Sequence, residues 1–272
     1  LTSAQQRKLK LIPVKLNFKE QELYDLITNL SEEKYQGQGS NNSFQLLTLQ
    51  REVCSSFYAV KKSVQRMLEK PQYQHLETKL QEIMKVIAEI ETNEKLNVVN
   101  KIMSKTNSKV IIFTEYKATQ EYLGYHLYQQ GYNPIFFSGD LSDNQKEWAK
   151  VMFEQKGDVL ISTEAGGQGI NLQFCHTIIN YDLPWNPMKL EQRIGRVDRL
   201  GQKKDVIVYN LITTGTIEEK ILALLLKKVD LFETVTGDQL QLLLKENTSE
   251  SDQYTEMDYQ TSLSELRKKY FH

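Results

Sequence analysis

The chain has 272 residues and a net charge of −1, with 34 Lys and Arg against 35 Asp and Glu. That length holds one large domain or two modest ones with a real core. The near-neutral balance excludes a globally basic nucleic-acid binder, so any anionic partner has to be met by local clusters.

Cys54 and Cys175 lie far apart and outside any CxxC pair, which excludes a disulfide scaffold and a cysteine zinc site and fits a reducing cytosol. His75, His126, His176 and His272 show no HExxH or HxxxH spacing, so no metal site is expected. There is no signal peptide and no apolar run approaching about 18 residues, so the chain is expected to be neither exported nor membrane-spanning. It starts at Leu1 rather than Met, as a fragment of something longer would.

The first ~100 residues read as helices. "FKEQELYDLITNL" puts Leu23, Leu26, Ile27 and Leu30 at helical spacing, and the Gly/Asn-rich "YQGQGSNNS" is a connector. "FQLLTLQREVCSSFYAVKKSVQRMLEK" carries Val53, Phe57, Val60, Val64 and Met67 on one stripe; Leu76, Leu80, Ile83, Ile87 and Ile90 form another.

At Val110 the pattern changes. "KVIIFTEY", "NPIFFSGD", "DVLISTEA", "TIINYDLP" and "DVIVYNLI" are short apolar runs, as in strands buried on both faces of a parallel sheet. Amphipathic helices lie between them. One stops at Gly131, a left-handed C-cap; the next opens with Ser142 and Gln145 in capping-box register and closes at Gly157. Alternating strands and helices predict an α/β layer with right-handed crossovers. After the last strand, "TIEEKILALLLKKVDLF" starts with Thr216 and Glu219, a second capping box, and the polar tail beyond Gly237 ends in a further predicted helix.

Ligands of open α/β sheets bind beyond the carboxyl ends of the strands. Those ends carry Thr114, Ser138-Gly139-Asp140 and Ser162-Thr163-Glu164, hydroxyls and glycine suited to phosphate oxygens of a nucleic-acid strand. "STEAGGQGINL" follows with Gly166, Gly167 and Gly169, but Leu172 breaks a GxGxxG fingerprint and no lysine completes a phosphate loop. An α/β hydrolase is excluded, because "FFSGD" is not GxSxG.

In "NPMKLEQRIGRVDRLGQ", Asn186 caps, Pro187 opens and Gly201 stops a predicted helix over Pro187–Leu200. At ~100° per residue, Gln192, Arg196 and Arg199 fall within about 60° of one another. Gly195 leaves room beside them, Arg193 points off to the side and Asp198 lies away from the shared face. Two guanidiniums converging on one spot suit a phosphate.

"VIIFTEY", "SGD", "VLISTEAGGQGINL", "IINYDLPWNP" and "QRIGRVDRLGQ" resemble, in order and spacing, the later motifs of superfamily-two helicases of the SWI/SNF-type DNA translocase group, from about Val110 to Ile212. "QRIGRVDR" is closer to bacterial members, including the RNA-polymerase-recycling type. The resemblance implies the second of two RecA-like lobes. The fold is then a RecA-like parallel sheet with flanking helices, preceded by a helical insertion (1–95), spanning 96–213 and followed by a brace helix and polar tail (214–272).

It further implies that Arg196 and Arg199 are arginine fingers reaching an ATP held, with its Mg²⁺, mainly by the N-terminal RecA-like lobe. Gln192, Gly169 and Asn171 then lie near the nucleotide. Thr114, Ser138, Gly139, Ser162, Thr163 and Trp185 follow the backbone of double-stranded DNA. The implied setting is cytoplasmic and nucleoid-associated, with no membrane partner. The alternative is a partner-docking module, for example on RNA polymerase, that uses the helical first third.

Overall fold

The computed structural model describes residues 6–32, 41–163 and 170–228. The glycines of 166–169 and the tail beyond 228, with its predicted last helix and Phe232, lie outside the described residues.

All five apolar runs form strands: β2 (Val110–Thr114), β3 (Pro134–Phe137), β4 (Val159–Thr163), β5 (Thr177–Asn180) and β6 (Val206–Thr213). A further strand, β1 (Arg7–Val14), joins them in a six-stranded sheet of order β1-β6-β5-β2-β4-β3. Every pairing is parallel; Val110 lies opposite Val159 on one side and Thr177 on the other. Alternate residues of each strand face opposite sides. Ile111, Phe113, Leu160 and Ile178 pack into one apolar cluster. Val110, Ile112, Ile161 and Ile179 pack into another. Burial on both faces is why these runs are continuous rather than alternating.

The first face is covered by α7 (Asp143–Gln155), α8 (Pro187–Ile194) and α9 (Ile217–Lys228). The second is covered by α5 (Glu94–Lys105) and α6 (Lys117–Gln129). Their ends follow local chemistry. Gly131 takes φ +89° after α6, and Ser142 with Gln145 forms the reciprocal capping box of α7. At α9 the expected box is different. The Thr216 hydroxyl accepts from the Glu218 amide, while the Glu219 carboxylate reaches one residue further back, to the Gly215 amide.

The remaining helices, α1 (Phe18–Glu32), α2 (Asn41–Ser55), α3 (Phe57–Leu68) and α4 (Glu77–Ala88), form a third apolar cluster with a 3₁₀ turn at Pro71–Leu76. The single stripe expected over residues 44–70 is two helices. Ser56 breaks it and caps α3, its hydroxyl accepting from the Ala59 amide at 3.1 Å. The all-helical reading of the first ~100 residues also missed β1. Its sequence, RKLKLIPV, places lysines among the apolar residues, because an edge strand has one neighbour and a solvated side.

Buried titratable groups hold these elements together, α5 to α9, α1 to the start of α5, and α2 to α3. Lys95 of α5, 2% exposed, donates to Glu218 of α9 at 2.6 Å and to the Tyr181 carbonyl at 2.7 Å. Its ammonium also lies 3.7 Å from Asp182. Burial by itself lowers the Lys95 pKa, but the Glu218 and Asp182 carboxylates hold it above its ordinary value. Glu20 accepts from the amides of Asn17 and Glu94 and from the Asn93 side chain.

Glu52 of α2 accepts from the Ser63 hydroxyl at 2.8 Å with one oxygen, while its other oxygen has no hydrogen-bond partner among the described residues. Burial pushes the carboxyls of Glu20 and Glu52 up to about 7 each. A carboxyl with a raised native pKa holds its proton in the folded state after the unfolded chain has released it. Its contribution to stability is therefore full below the ordinary value of 4.5 and is lost as pH rises through about 7. We expect the unfolding free energy to fall across that window, by up to about 1.4 kcal/mol per pH unit for each group. Glu52→Gln should flatten the profile by one group's share, which urea titrations across the window measure.

Candidate functional site

A cleft of about 390 Å³ opens beyond the carboxyl ends of β2 and β4, against α8. Its floor is apolar, formed by Phe113, Phe137, Leu160, Ile170 and Leu172. Its rim carries Lys117, Lys150, Lys189, Gln192 and Arg196, with Ser162 and Thr163 at the end of β4. Such a mouth, apolar below and cationic above, suits an anionic group presented on a larger ligand.

Lys150 donates to Glu147 at 3.3 Å, and Lys117 donates to Asp140 at 2.8 Å. The Lys117 ammonium, followed by the Ser138 hydroxyl, holds the Asp140 carboxyl down at about 2.

The predicted site residues separate into two groups. Ser162, Thr163, Gln192 and Arg196 share the cleft. Thr114 does not: its side chain is fully buried, and its hydroxyl donates to Asp182 at 2.5 Å. Ser138, beside Gly139, gives its hydroxyl to Asp140 within the same turn. Asn171 is exposed and exchanges hydrogen bonds with Gln173, its Nδ2 donating to Oε1 at 3.1 Å. Trp185 is wedged between the sheet's core and the helical core, under the Arg51 guanidinium at 4.9 Å. Gly169 lies outside the described residues.

The helix bearing the arginines is shorter than expected, Pro187–Ile194 instead of Pro187–Leu200. Beyond Ile194 the chain continues in tight turns. The Arg196 and Val197 amides bond three residues back, to the Arg193 and Ile194 carbonyls. The Leu172 amide takes the Arg196 carbonyl at 3.0 Å, and Gly201 turns the chain at φ +101°. The 100° wheel therefore does not extend to Arg199. Arg196 lines the cleft, whereas Arg199 is exposed and folds its Nε back onto the Gly195 carbonyl at 2.7 Å. Asp198, expected to stand apart, pairs with Arg7 of β1 at 2.8 Å; Arg7 also reaches Glu191 at 3.1 Å.

Arg193 is the larger correction. It does not point off to the side but inward, 2% exposed. Nη1 donates to the Asn180 side chain at 3.0 Å and to the Asp182 carbonyl at 2.7 Å, and Nη2 donates to Glu115 at 2.6 Å. The guanidinium lies 5.2 Å from the Phe113 ring centroid. A signal for this was present in the sequence. Leu190, Ile194 and Val197 are all buried, and Arg193 shares their inward stripe.

Asp182 also went unnoticed. Its Oδ2 accepts from the Ser55 hydroxyl at 2.9 Å, from Thr114 and from the Glu115 amide at 3.0 Å. Glu115, the single carboxylate lining the cleft among the described residues, is engaged by Arg193. Among the described residues the cleft thus offers guanidinium chemistry that fits a phosphate, and its one carboxylate is already engaged.

Thr114→Val should lower stability by about 1–3 kcal/mol, since it leaves a buried carboxylate short of a donor. Chemical denaturation measures this. Unchanged stability would mean that the hydroxyl is not committed to Asp182.

Residues 94–201 match the family described as the helicase conserved C-terminal domain. The chain is 45% identical over 243 residues to a Bacillus subtilis protein named "Uncharacterized ATP-dependent helicase YqhH", covering 88% of this chain and 43% of that protein. It is 35% identical over 126 residues to the DNA repair and recombination protein RAD54 of Saccharomyces cerevisiae, covering 45% of this chain and 14% of that one. The chain thus spans less than half the length of these relatives.

Among solved structures, the Sulfolobus solfataricus SWI2/SNF2 ATPase core domain superposes with TM-score 0.59 at 21% identity, over 84% of this chain and 44% of that one. The C-terminal part of the Fun30 ATPase domain superposes with TM-score 0.59 at 20% identity, over 81% and 88%. At that identity the likeness is one of fold, a RecA-like α/β lobe.

Proposed function

We propose that this chain, whose residues 94–201 match the helicase conserved C-terminal domain, is the C-terminal lobe of a superfamily-two helicase and works as one half of an ATP-dependent DNA motor of the SWI/SNF type. The observation that carries the reading is the placement of Arg196 and Gln192 on a cationic cleft at the carboxyl edge of the sheet. The lobe proper is 96–213, with the helical insertion before it and the brace helix and tail after it.

In this reading Arg196 donates to oxygens of the γ-phosphate of an ATP held by the N-terminal lobe. A guanidinium there neutralises charge as water attacks phosphorus and the bridging oxygen leaves toward the β-phosphate. Arg199 joins it once its guanidinium leaves the Gly195 carbonyl, and Gln192, Asn171 and Gly169 complete the nucleotide's surroundings. Mg²⁺, held mainly by the other lobe, would supply further charge neutralisation. Ser162 and Thr163, with Ser138, Gly139 and Trp185, follow the phosphates of one DNA strand, while Thr114 serves from behind by holding Asp182. Contacts of this kind position a motor without reading bases. The expected setting is the cytoplasm, on the nucleoid.

The isolated chain should hydrolyse ATP negligibly with or without DNA; robust turnover would overturn the half-site reading. In the full-length protein, Arg196→Ala should lower turnover by about 10³–10⁵-fold while nucleotide binding persists, and Arg199→Ala should act in the same direction. Steady-state hydrolysis and equilibrium binding of a nucleotide analogue separate the two effects.

A second reading draws on the separate apolar core of α1–α4, which makes the insertion a unit able to dock a partner such as RNA polymerase. Failure of the full-length protein to retain purified polymerase in a pull-down would remove it.

A further inference from the structure

We infer that Arg193 is a positioning residue for ATP hydrolysis: through Glu115, Asn180 and the Asp182 carbonyl it sets the rotation of α8 that aims Arg196 and Gln192 into the cleft. This rests on the reading of Arg196 as an arginine finger.

α8 has eight residues, two turns, and a helix that short has no stability of its own, so its orientation is inherited from what it touches. Apolar contacts through Leu190 and Ile194 hold it down but are non-directional. Direction comes from two arginines. Arg7 grips its outer side at Glu191 and the following turn at Asp198. Arg193 grips its inner side on three acceptors that diverge from one planar fork, which fixes the rotation as well as the depth of the helix. Arg196 follows one turn later, on the cleft.

The same clamp reaches the helical insertion. The other oxygen of Glu115 lies 3.9 Å from Arg51 of α2, whose guanidinium covers Trp185. A charge held this deep, and shared by elements 78 residues apart in sequence, is an expensive way merely to attach a helix. An apolar side chain would attach α8 as firmly, but it would not orient it.

The test uses the full-length protein and compares Arg193→Gln, Arg193→Lys, Glu115→Gln and the double variant Arg193→Gln/Glu115→Gln. The measurements are kcat and KM for DNA-stimulated ATP hydrolysis, nucleotide-analogue affinity and thermal unfolding. Arg193→Gln should lower kcat by about 10²-fold through misplacement of Arg196, with KM and nucleotide affinity within about twofold of the parent. Arg193→Lys should recover only part of the loss, because an ammonium cannot hold the three acceptors in one plane. The double variant should be no worse than Arg193→Gln, since the two residues act as a unit.

Unchanged kcat per folded molecule in Arg193→Gln, or full recovery by Arg193→Lys, would overturn the inference. If Arg193→Gln does not fold, Glu115→Gln and Arg193→Lys carry the same comparison. Arg196→Ala run alongside separates the two levels. If its turnover is normal, the arginine-finger reading fails; if it is inactive while the Arg193 and Glu115 variants keep the parent kcat, only the positioning role fails.

Discussion

Asp182 is a carboxylate buried just past the end of β5, and a buried carboxylate has to be surrounded by donors or it destabilises the fold. Its Oδ2 collects Ser55 from the end of α2 and both Thr114 and the Glu115 amide from the end of β2. Its Oδ1 faces Lys95, which is bound in turn to Glu218 of α9. Its carbonyl accepts from Arg193. One residue therefore ties the sheet's carboxyl edge to α2, to α9 and to the arginine-bearing helix α8. Removing any one donor leaves charge inside the molecule, so these pieces are held in a common geometry rather than merely in contact.

The division of labour follows from where polarity is allowed. The sheet is covered on both faces, and its strand interiors are apolar almost without break. Polar groups enter at the carboxyl edge, and there most are committed to one another: Thr114 to Asp182, Ser138 to Asp140, Arg193 to Glu115. Arg196 and Gln192 stand at the cleft in front of this committed layer. In the proposed role Arg196 depends on such backing, because a displacement of about 1 Å can cost about two orders of magnitude in rate. Helix α2 takes part through Ser55 and through Arg51, which covers Trp185, a side chain packed against both cores.

The five apolar runs from Val110 to Ile212 were legible because burial on both faces demands them, and the caps at Gly131 and Ser142 because they are local chemistry. β1 was not legible, since Lys8 and Lys10 alternate into an edge strand whose pairing with β6 closes across roughly two hundred residues. The break at Ser56 was hidden by an apolar stripe that runs through two helices. In the candidate site, Gln192 and Arg196, expected at the nucleotide, and Ser162 and Thr163, expected along DNA, line one and the same cleft. Thr114 and Arg193 turn to partners distant in sequence, and Arg199 lies past the end of the helix, where the wheel no longer places it.

From residue types, order and spacing alone follow an α/β lobe, a carboxyl edge bearing hydroxyls and guanidiniums, and the likeness to a helicase's second lobe. These are local or periodic properties, and periodicity survives in one dimension. Which arginine of the cleft lining stands toward solvent, and which is buried on fixed partners, was decided only in three dimensions. The wheel holds for as long as the helix does, and α8 ends where Gly195 and the Leu172 amide take over the backbone. Arg193 turns inward because Asn180, Asp182 and Glu115, on other segments of the chain, meet at one buried point where only a planar cation satisfies all three.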